Sequence, residues 1–266
     1  MITSTQNPRI KHLLLLQQKS SLRREEGLFV VEGRREVEHC LAAGFKIRTA
    51  FVCEELGDPD LPQPSLKGRE SSPFEGELER VSPHVYERIA YRGGTEGIVA
   101  EVEARQLRLA DLRLSASPLI VVLESVEKPG NLGAVLRSAD AAGADAVVVC
   151  DPLTDLYNPN LIRSSIGAAF TVPCVACTSE ECIAFFRERG IRILTAQLQD
   201  SRLYYDTPMT GPTAIVMGTE ATGLTDQWRR AADSHIRIPM LGRLDSLNVS
   251  VSAAILLYEA VRQRQN

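Results

Sequence analysis

An α/β architecture is predicted for this 266-residue chain, with a parallel sheet in the C-terminal part and a smaller α/β unit ahead of it. Three observations carry the prediction. From residue 119 onward, short and continuously apolar runs alternate with helix-like stretches, the pattern of a parallel sheet covered on both faces. Gly44, Gly143 and Gly190 close helix-like stretches where a left-handed C-terminal residue is wanted. The first hundred or so residues show the same strand and helix rhythm on a smaller scale, interrupted by a stretch rich in Pro, Gly and Ser at 56–76.

Taken in order, 13–16 with its polar flanks reads as a short helix, 29–31 as a strand and 35–43 as a helix ended by Gly44. Residues 47–53 form a second strand, 56–76 an exposed loop, 81–89 a helix, and 97–102 the strand that closes the small unit. The charged stretch 107–117 is a linker between domains at 1–106 and 118–266. Beyond it come strand 119–123, helix 130–142, strand 146–150, helix 159–169 and strand 170–175. Ser179 caps a helix running to 189, with Glu180 and Glu181 complementing its dipole. Strands follow at 191–196, 213–217 and 236–238, then an amphipathic helix at 247–264 with Val249, Ala253, Leu256, Leu257 and Ala260 on one face.

Composition is that of an ordinary globular chain, 44% hydrophobic and 24% charged, with a net charge of −4. No run approaches the ~20 apolar residues of a membrane span. The charge is uneven: 1–50 carries an excess of four positive charges over the acids there, which points to a basic face built from residues such as Arg9, Lys11, Arg23, Arg24, Arg34 and Arg35. The start, 1–24, is acid-free like a transit peptide, but its leucines read equally well as helix. Cys174 and Cys177 form a CxxC without a second pair or a nearby histidine, so the expectation is reduced packing cysteines of a cytoplasmic protein and no metal.

Three segments carry polar groups that a packed core has no use for: Lys128-Pro129-Gly130-Asn131-Leu132-Gly133, Met217-Gly218-Thr219-Glu220-Ala221-Thr222-Gly223, and Ser246-Leu247-Asn248-Val249-Ser250. Each sits at a strand–helix junction, where open α/β sheets bind ligands. The first is not the dinucleotide fingerprint, because it lacks GxGxxG and a ribose-binding acid. Arg137 lies six residues beyond Asn131 in an otherwise apolar helix, and a buried Arg needs a partner. In the third segment Ser and Asn are ordinary helix caps, but one cap suffices for one helix.

In that order, PGNLGAVLRSADAAG, IVMGTEATGL and IPMLGRLDSLNVSVSAAILLYE resemble the three motifs of the SpoU/TrmH branch of the SPOUT RNA methyltransferases. ITSTQNPRIKHL and FVVEG more weakly resemble the small RNA-binding domain, related to ribosomal protein L30e, that precedes the catalytic domain in many members. The resemblance implies a C-terminal parallel-sheet SPOUT domain with a deep trefoil knot, and a homodimer that transfers a methyl group from S-adenosylmethionine to a ribose 2′-hydroxyl. It implies catalytic positions at Asn131, Arg137, Glu220, Ser246 and Asn248. It implies cofactor contacts at Thr195, Ala196, Met217, Gly218, Ile238, Met240 and Leu247. The N-terminal domain leans the substrate toward ribosomal RNA of the large subunit, with tRNA, or a non-catalytic RNA-binding or ribosome-assembly role, as alternatives. Lys128 and Ala221 depart from the family pattern, and Ala221 requires ordinary backbone angles in its loop.

Overall fold

The computed structural model describes residues 1–57, 76–91, 96–219, 221–243 and 245–265. It divides into two compact units, 1–105 with 157–170, and 106–156 with 171–266. Most of the expected loop at 56–76 lies outside the described residues. In the first unit Asn7 caps α1 (Pro8–Gln18), accepting from the amide of Arg9, and Pro8 sits at the first helical turn. Then come α2 (Ser20–Glu26), β1 (Leu28–Glu32), α3 (Arg34–Ala42), β2 (Ile47–Val52), β3 (Glu77–Arg80), α4 (Pro83–Ile89) and β4 (Ile98–Glu103). The sheet order is β1-β4-β2-β3, with β4 antiparallel to both neighbours. Side chains alternate across it: Val30, Phe51 and Val99 pack with α1 and α4, while Phe29, Val31, Ala50 and Ala100 face the opposite core. The edge strand β3, Glu-Leu-Glu-Arg, has no apolar run by which sequence alone would reveal it.

The second half of the chain holds β5 (Leu119–Glu124), α5 (Pro129–Ala141), β6 (Ala146–Cys150), α6 (Pro159–Ser165), α7 (Ala168–Thr171), β7 (Cys174–Cys177), α8 (Ser179–Glu188), β8 (Arg192–Ala196), β9 (Arg202–Leu203), β10 (Thr213–Met217), α9 (Asp226–Ala231), β11 (Ser234–Arg237) and α10 (Val249–Gln265). The second unit is a parallel sheet in the order β7-β6-β5-β10-β8-β11-β9. The chain winds outward from β5 to β7, crosses to β8, and later inserts β10 between β5 and β8. Winding therefore changes direction beside β5, and the crevice at the carboxyl ends of β5 and β10 is where such a sheet binds ligands.

Two stretches differ from expectation. The helix expected at 159–169 is broken between α6 and α7, where Ile166 and Gly167 take φ of 52° and 89°. A Cβ on Gly167 would lie 2.7 Å from the His39 ring, so only Gly fits that bend. Phe170 lies in α7 rather than opening a strand. It packs with Tyr157 against Phe29, with ring centroids 6.2 and 4.3 Å away, which gives 157–170 its place in the first unit's core. The cap of α8 is Thr178, in a reciprocal box with Glu181. Ser179 instead donates to Asp151 and accepts from the buried Trp228 indole at 2.8 Å.

Candidate active site

Three loops meet at the carboxyl edge of the second unit's sheet. After β10, Thr219 and Gly223 pair in a tight antiparallel bridge, and the Thr219 hydroxyl accepts from the Thr222 amide at 3.0 Å. A Cβ built on Gly218 would lie 2.2 Å from the Gly223 carbonyl carbon. The glycine is thus required by the loop folding back on itself, before any ligand is considered. Ala221 is not among the residues with positive φ, as its Cβ demands. Glu124, buried at the end of β5, accepts from the amide and hydroxyl of Thr225 at 2.9 and 2.7 Å. It anchors the far end of the same loop across 101 residues of sequence. Nothing in the local sequence marks Glu124 for this task.

Asn248 resolves the choice between cap and ligand group by serving as both. Its Oδ1 accepts from the Ser250 amide at 3.0 Å and hydroxyl at 2.6 Å, opening α10. Because Oδ1 is committed to the helix, Nδ2 is the atom that faces Asn131, donating to Asn131 Oδ1 at 3.1 Å. That bond in turn fixes the orientation of the Asn131 amide. Asn248→Asp keeps the cap and is expected to fold as stably as the parent. It places a carboxylate against Asn131, which must either be repelled or flip its amide. Turnover should fall roughly tenfold, the equivalent of about 1.4 kcal/mol for a lost positioning hydrogen bond. Asn248→Ala should show that loss together with about 1 kcal/mol of destabilisation. Thermal unfolding beside steady-state kinetics checks both, and equal turnover in Asn248→Asp and the parent would refute the positioning role.

Two cavities adjoin across the Gly218–Ala221 loop. One, of about 240 Å³, is lined by Ser125, Lys128, Asn131, Gly218 and Val249 among others. The second, of about 340 Å³, is walled by Ala196, Met217, Gly218, Ser246 and Leu247, and by the Gln197–Gln199 turn after β8. Two buried polar atoms in its wall lack a hydrogen-bonding partner among the described residues: the acceptor Gln197 Oε1 and the donor Arg229 Nε. Gln197 Nε2 is held by the Gln199 carbonyl at 2.9 Å, which turns Oε1 the other way. The two atoms are buried behind the cavity surface, so a small side-chain movement is needed to offer this acceptor and donor to a ligand that carries both an ammonium and a carboxylate. Neither residue stands out in the sequence, because the signal is a missing partner in three dimensions.

Of the residues expected at the site, Asn131, Ser246, Asn248, Ala196, Met217, Gly218 and Leu247 come together as described. Thr195 lies inside the sheet, fully buried, with its hydroxyl on His235 Nδ1 at 2.6 Å. Ile238 and Met240 are half-buried beyond β11 and line neither cavity. Glu220 lies outside the described residues. Contrary to expectation, Arg137 is not buried: it is exposed on α5, without a charged or hydrogen-bonding partner among the described residues, so burial does not single it out. Its separation from Asn131 also turns it well away around the helix, at about 100° per residue.

The basic face of the first unit is smaller than the sequence count. Arg9 bonds Glu77 at 2.7 Å and also Glu79, both from β3. Arg34 pairs with Glu38 at 2.8 Å. Arg23 is buried and donates to the carbonyls of Leu16 and Gln17, closing the end of α1. Lys11, Arg24 and Arg35 remain exposed, without ion pairs among the described residues.

A family model described as the SpoU rRNA Methylase family matches residues 118–258, and one described as an MRM3-like substrate binding domain matches 7–100. The chain is 34% identical to the 23S rRNA (guanosine-2′-O-)-methyltransferase RlmB of Pseudomonas putida over 83% of its own length and 90% of that protein's. It is similar to the crystal structure of an RNA 2′-O ribose methyltransferase, with a TM-score of 0.83 and 39% identity over 100% of this chain and 99% of that one. An AdoMet-bound rRNA methyltransferase from Sinorhizobium meliloti superposes with a TM-score of 0.89 and 30% identity, covering 98% and 97% of the two chains.

Proposed function

Because this chain belongs to the SpoU rRNA methylase family, we propose that it transfers a methyl group from S-adenosylmethionine to a ribose 2′-hydroxyl of RNA, with large-subunit ribosomal RNA as substrate. The observation that carries this reading is the convergence of the first and third segments through Asn131 and Asn248, beside a cavity whose orphaned polar atoms suit an amino-acid zwitterion. When bound, S-adenosylmethionine supplies an activated sulfonium methyl group. Arg229 Nε would donate to its carboxylate and Gln197 Oε1 would accept from its ammonium, while the Gly218–Gly223 loop and Leu247 wall the cavity.

Arg137 is assigned to the reacting oxygen; since it faces outward on α5 and lines neither cavity of its own chain, it would act across the proposed homodimer. A guanidinium does not act as a base, because its pKa exceeds ~12. Its part is to stabilise the developing alkoxide and hold the neighbouring phosphate, which can take the proton. Asn131, held by Asn248, orients the ribose; Ser246 positions the loop. We assign RNA binding to residues 1–106, with Lys11, Arg24 and Arg35 as the phosphate contacts, and the chemistry to 118–266. The knotted threading that the family resemblance implies is proposed with it. A homodimer and a cytoplasmic location are part of the same proposal.

Calorimetric titration with S-adenosylmethionine is expected to show one site per chain. Comparison of 2′-O-methyl groups in RNA from cells with and without the protein should reveal one missing methyl in large-subunit ribosomal RNA. Absence of S-adenosylmethionine binding would favour a non-catalytic RNA-binding role, and a methyl lost from tRNA would move the substrate.

A further inference from the structure

At the same carboxyl edge, on the strands outward from β5, the sheet of the second unit gathers three thiols. Cys150 ends β6 and Cys177 ends β7, and the two stand opposite each other in the parallel register. Their sulfurs are 4.0 Å apart. Cys182 meets them from α8, so that all three Sγ atoms lie within 4.8 Å of one another. Cys150 and Cys182 are fully buried, whereas Cys177 is half-buried and opens the group to solvent. Cys174, the other half of the CxxC, is not a member. On a strand, residues three apart point to opposite faces, so the CxxC cannot chelate here, and register supplies Cys150 in its place.

We infer that Cys150, Cys177 and Cys182 form a three-coordinate site for a soft, thiophilic monovalent cation of the copper(I) class. Metal–sulfur bonds of about 2.3 Å in a plane put the sulfurs about 4.0 Å from one another. The Cys150–Cys177 separation already has that value, and a small inward movement of Cys182 completes the triangle. No histidine or carboxylate joins the group among the described residues, so a cation that prefers four or more ligands is poorly served. All-sulfur, low-coordinate sites select soft cations. The first turn of α8 lies beside the group, but its amides are taken by Asp151 and Thr178, and the Asp151 and Glu181 carboxylates oppose a thiolate at Cys177, so the cation's own charge would have to hold the sulfurs deprotonated. Buried cysteines often serve as small apolar packing groups, and three dispersed ones would need no other account. Three sulfurs converging on one point, with one open to solvent, meet the donor set, spacing and entry path that a site requires.

The test is an anaerobic titration of the full chain with copper(I) against a chromophoric competing chelator. One equivalent should bind per chain, with thiolate-to-metal charge-transfer absorption and release of the thiol protons. Cys177→Ser should weaken binding by at least the roughly 10–100-fold typical of a lost supporting contact at a metal site. Cys174→Ser should leave the affinity unchanged. Lack of saturation at one equivalent, undiminished affinity in Cys177→Ser, or displacement of copper(I) by equimolar zinc(II) would overturn the inference. Should the serine variant fail to fold by circular dichroism, X-ray absorption at the copper edge of the parent decides: three sulfur neighbours support the site, and nitrogen or oxygen neighbours refute it. Methyl transfer enters none of these measurements.

Discussion

Arg137→Ala is expected to lower methyl transfer by about 10²–10³-fold, the range for removal of one preorganised charge-stabilising group. Stability and S-adenosylmethionine affinity should remain near those of the parent. The separation follows from its position. Arg137 is exposed and makes no ion pair among the described residues, so truncation removes no intramolecular contact of consequence. Exposed substitutions of that kind usually stay within about 0.5 kcal/mol. It is also absent from both cavity walls. A structural arginine would show the reverse pattern, with a lowered Tm and preserved turnover. Arg137→Lys should recover only part of the rate, because a point charge does not reproduce the planar fork that grips a phosphate. Near-parental turnover in Arg137→Ala, measured with saturating cofactor and RNA, would remove Arg137 from the mechanism.

Most strands and helices of the second unit were legible because each is a local pattern, whereas the two-residue β9 and the helix α9 were not read and β7 begins four residues later than expected. The run at 119–123 and the spacing of Ala253, Leu256, Leu257 and Ala260 in α10, all of them buried, need no knowledge of the rest of the chain. What escaped depends on pairs distant in sequence. β3 is polar and exists because β2 offers it a parallel edge. Arg9 looked like a free cation until β3 brought Glu77 and Glu79 to it, so counting charges by window overstated the basic face. The apolar neighbours of Arg137 on α5 suggested burial, yet its own position on that helix faces outward. At the site, the segments and their residue types were visible in the sequence. The bond between Asn131 and Asn248, the Glu124 anchor, and the orphaned atoms of Gln197 and Arg229 were not, since each is a relation between elements that only the sheet order brings together.

Gly218→Ala is expected to weaken S-adenosylmethionine binding by on the order of 10²-fold and to lower methyl transfer with it. The added Cβ would meet the Gly223 carbonyl carbon at 2.2 Å, its oxygen at 2.3 Å and the Leu224 amide nitrogen at 2.5 Å. These are backbone atoms, so no rotamer change relieves the overlap. The Thr219–Gly223 bridge must open, or the loop must shift by about an ångström, and a displacement of that size in a positioning element costs on the order of 10²-fold. The loop is tethered at its far end by Glu124 to Thr225, so the shift is directed into the cavities on either side rather than absorbed beyond them. Gly130 supplies the contrast. A Cβ there meets nothing within 4 Å, and the residue lies in the first turn of α5. Gly130→Ala should therefore be neutral or stabilise the fold by up to about 1 kcal/mol. Calorimetry with S-adenosylmethionine and thermal unfolding of both variants test the argument. Parental affinity in Gly218→Ala would mean that the loop has room the packing denies, and the requirement for glycine at 218 would fall.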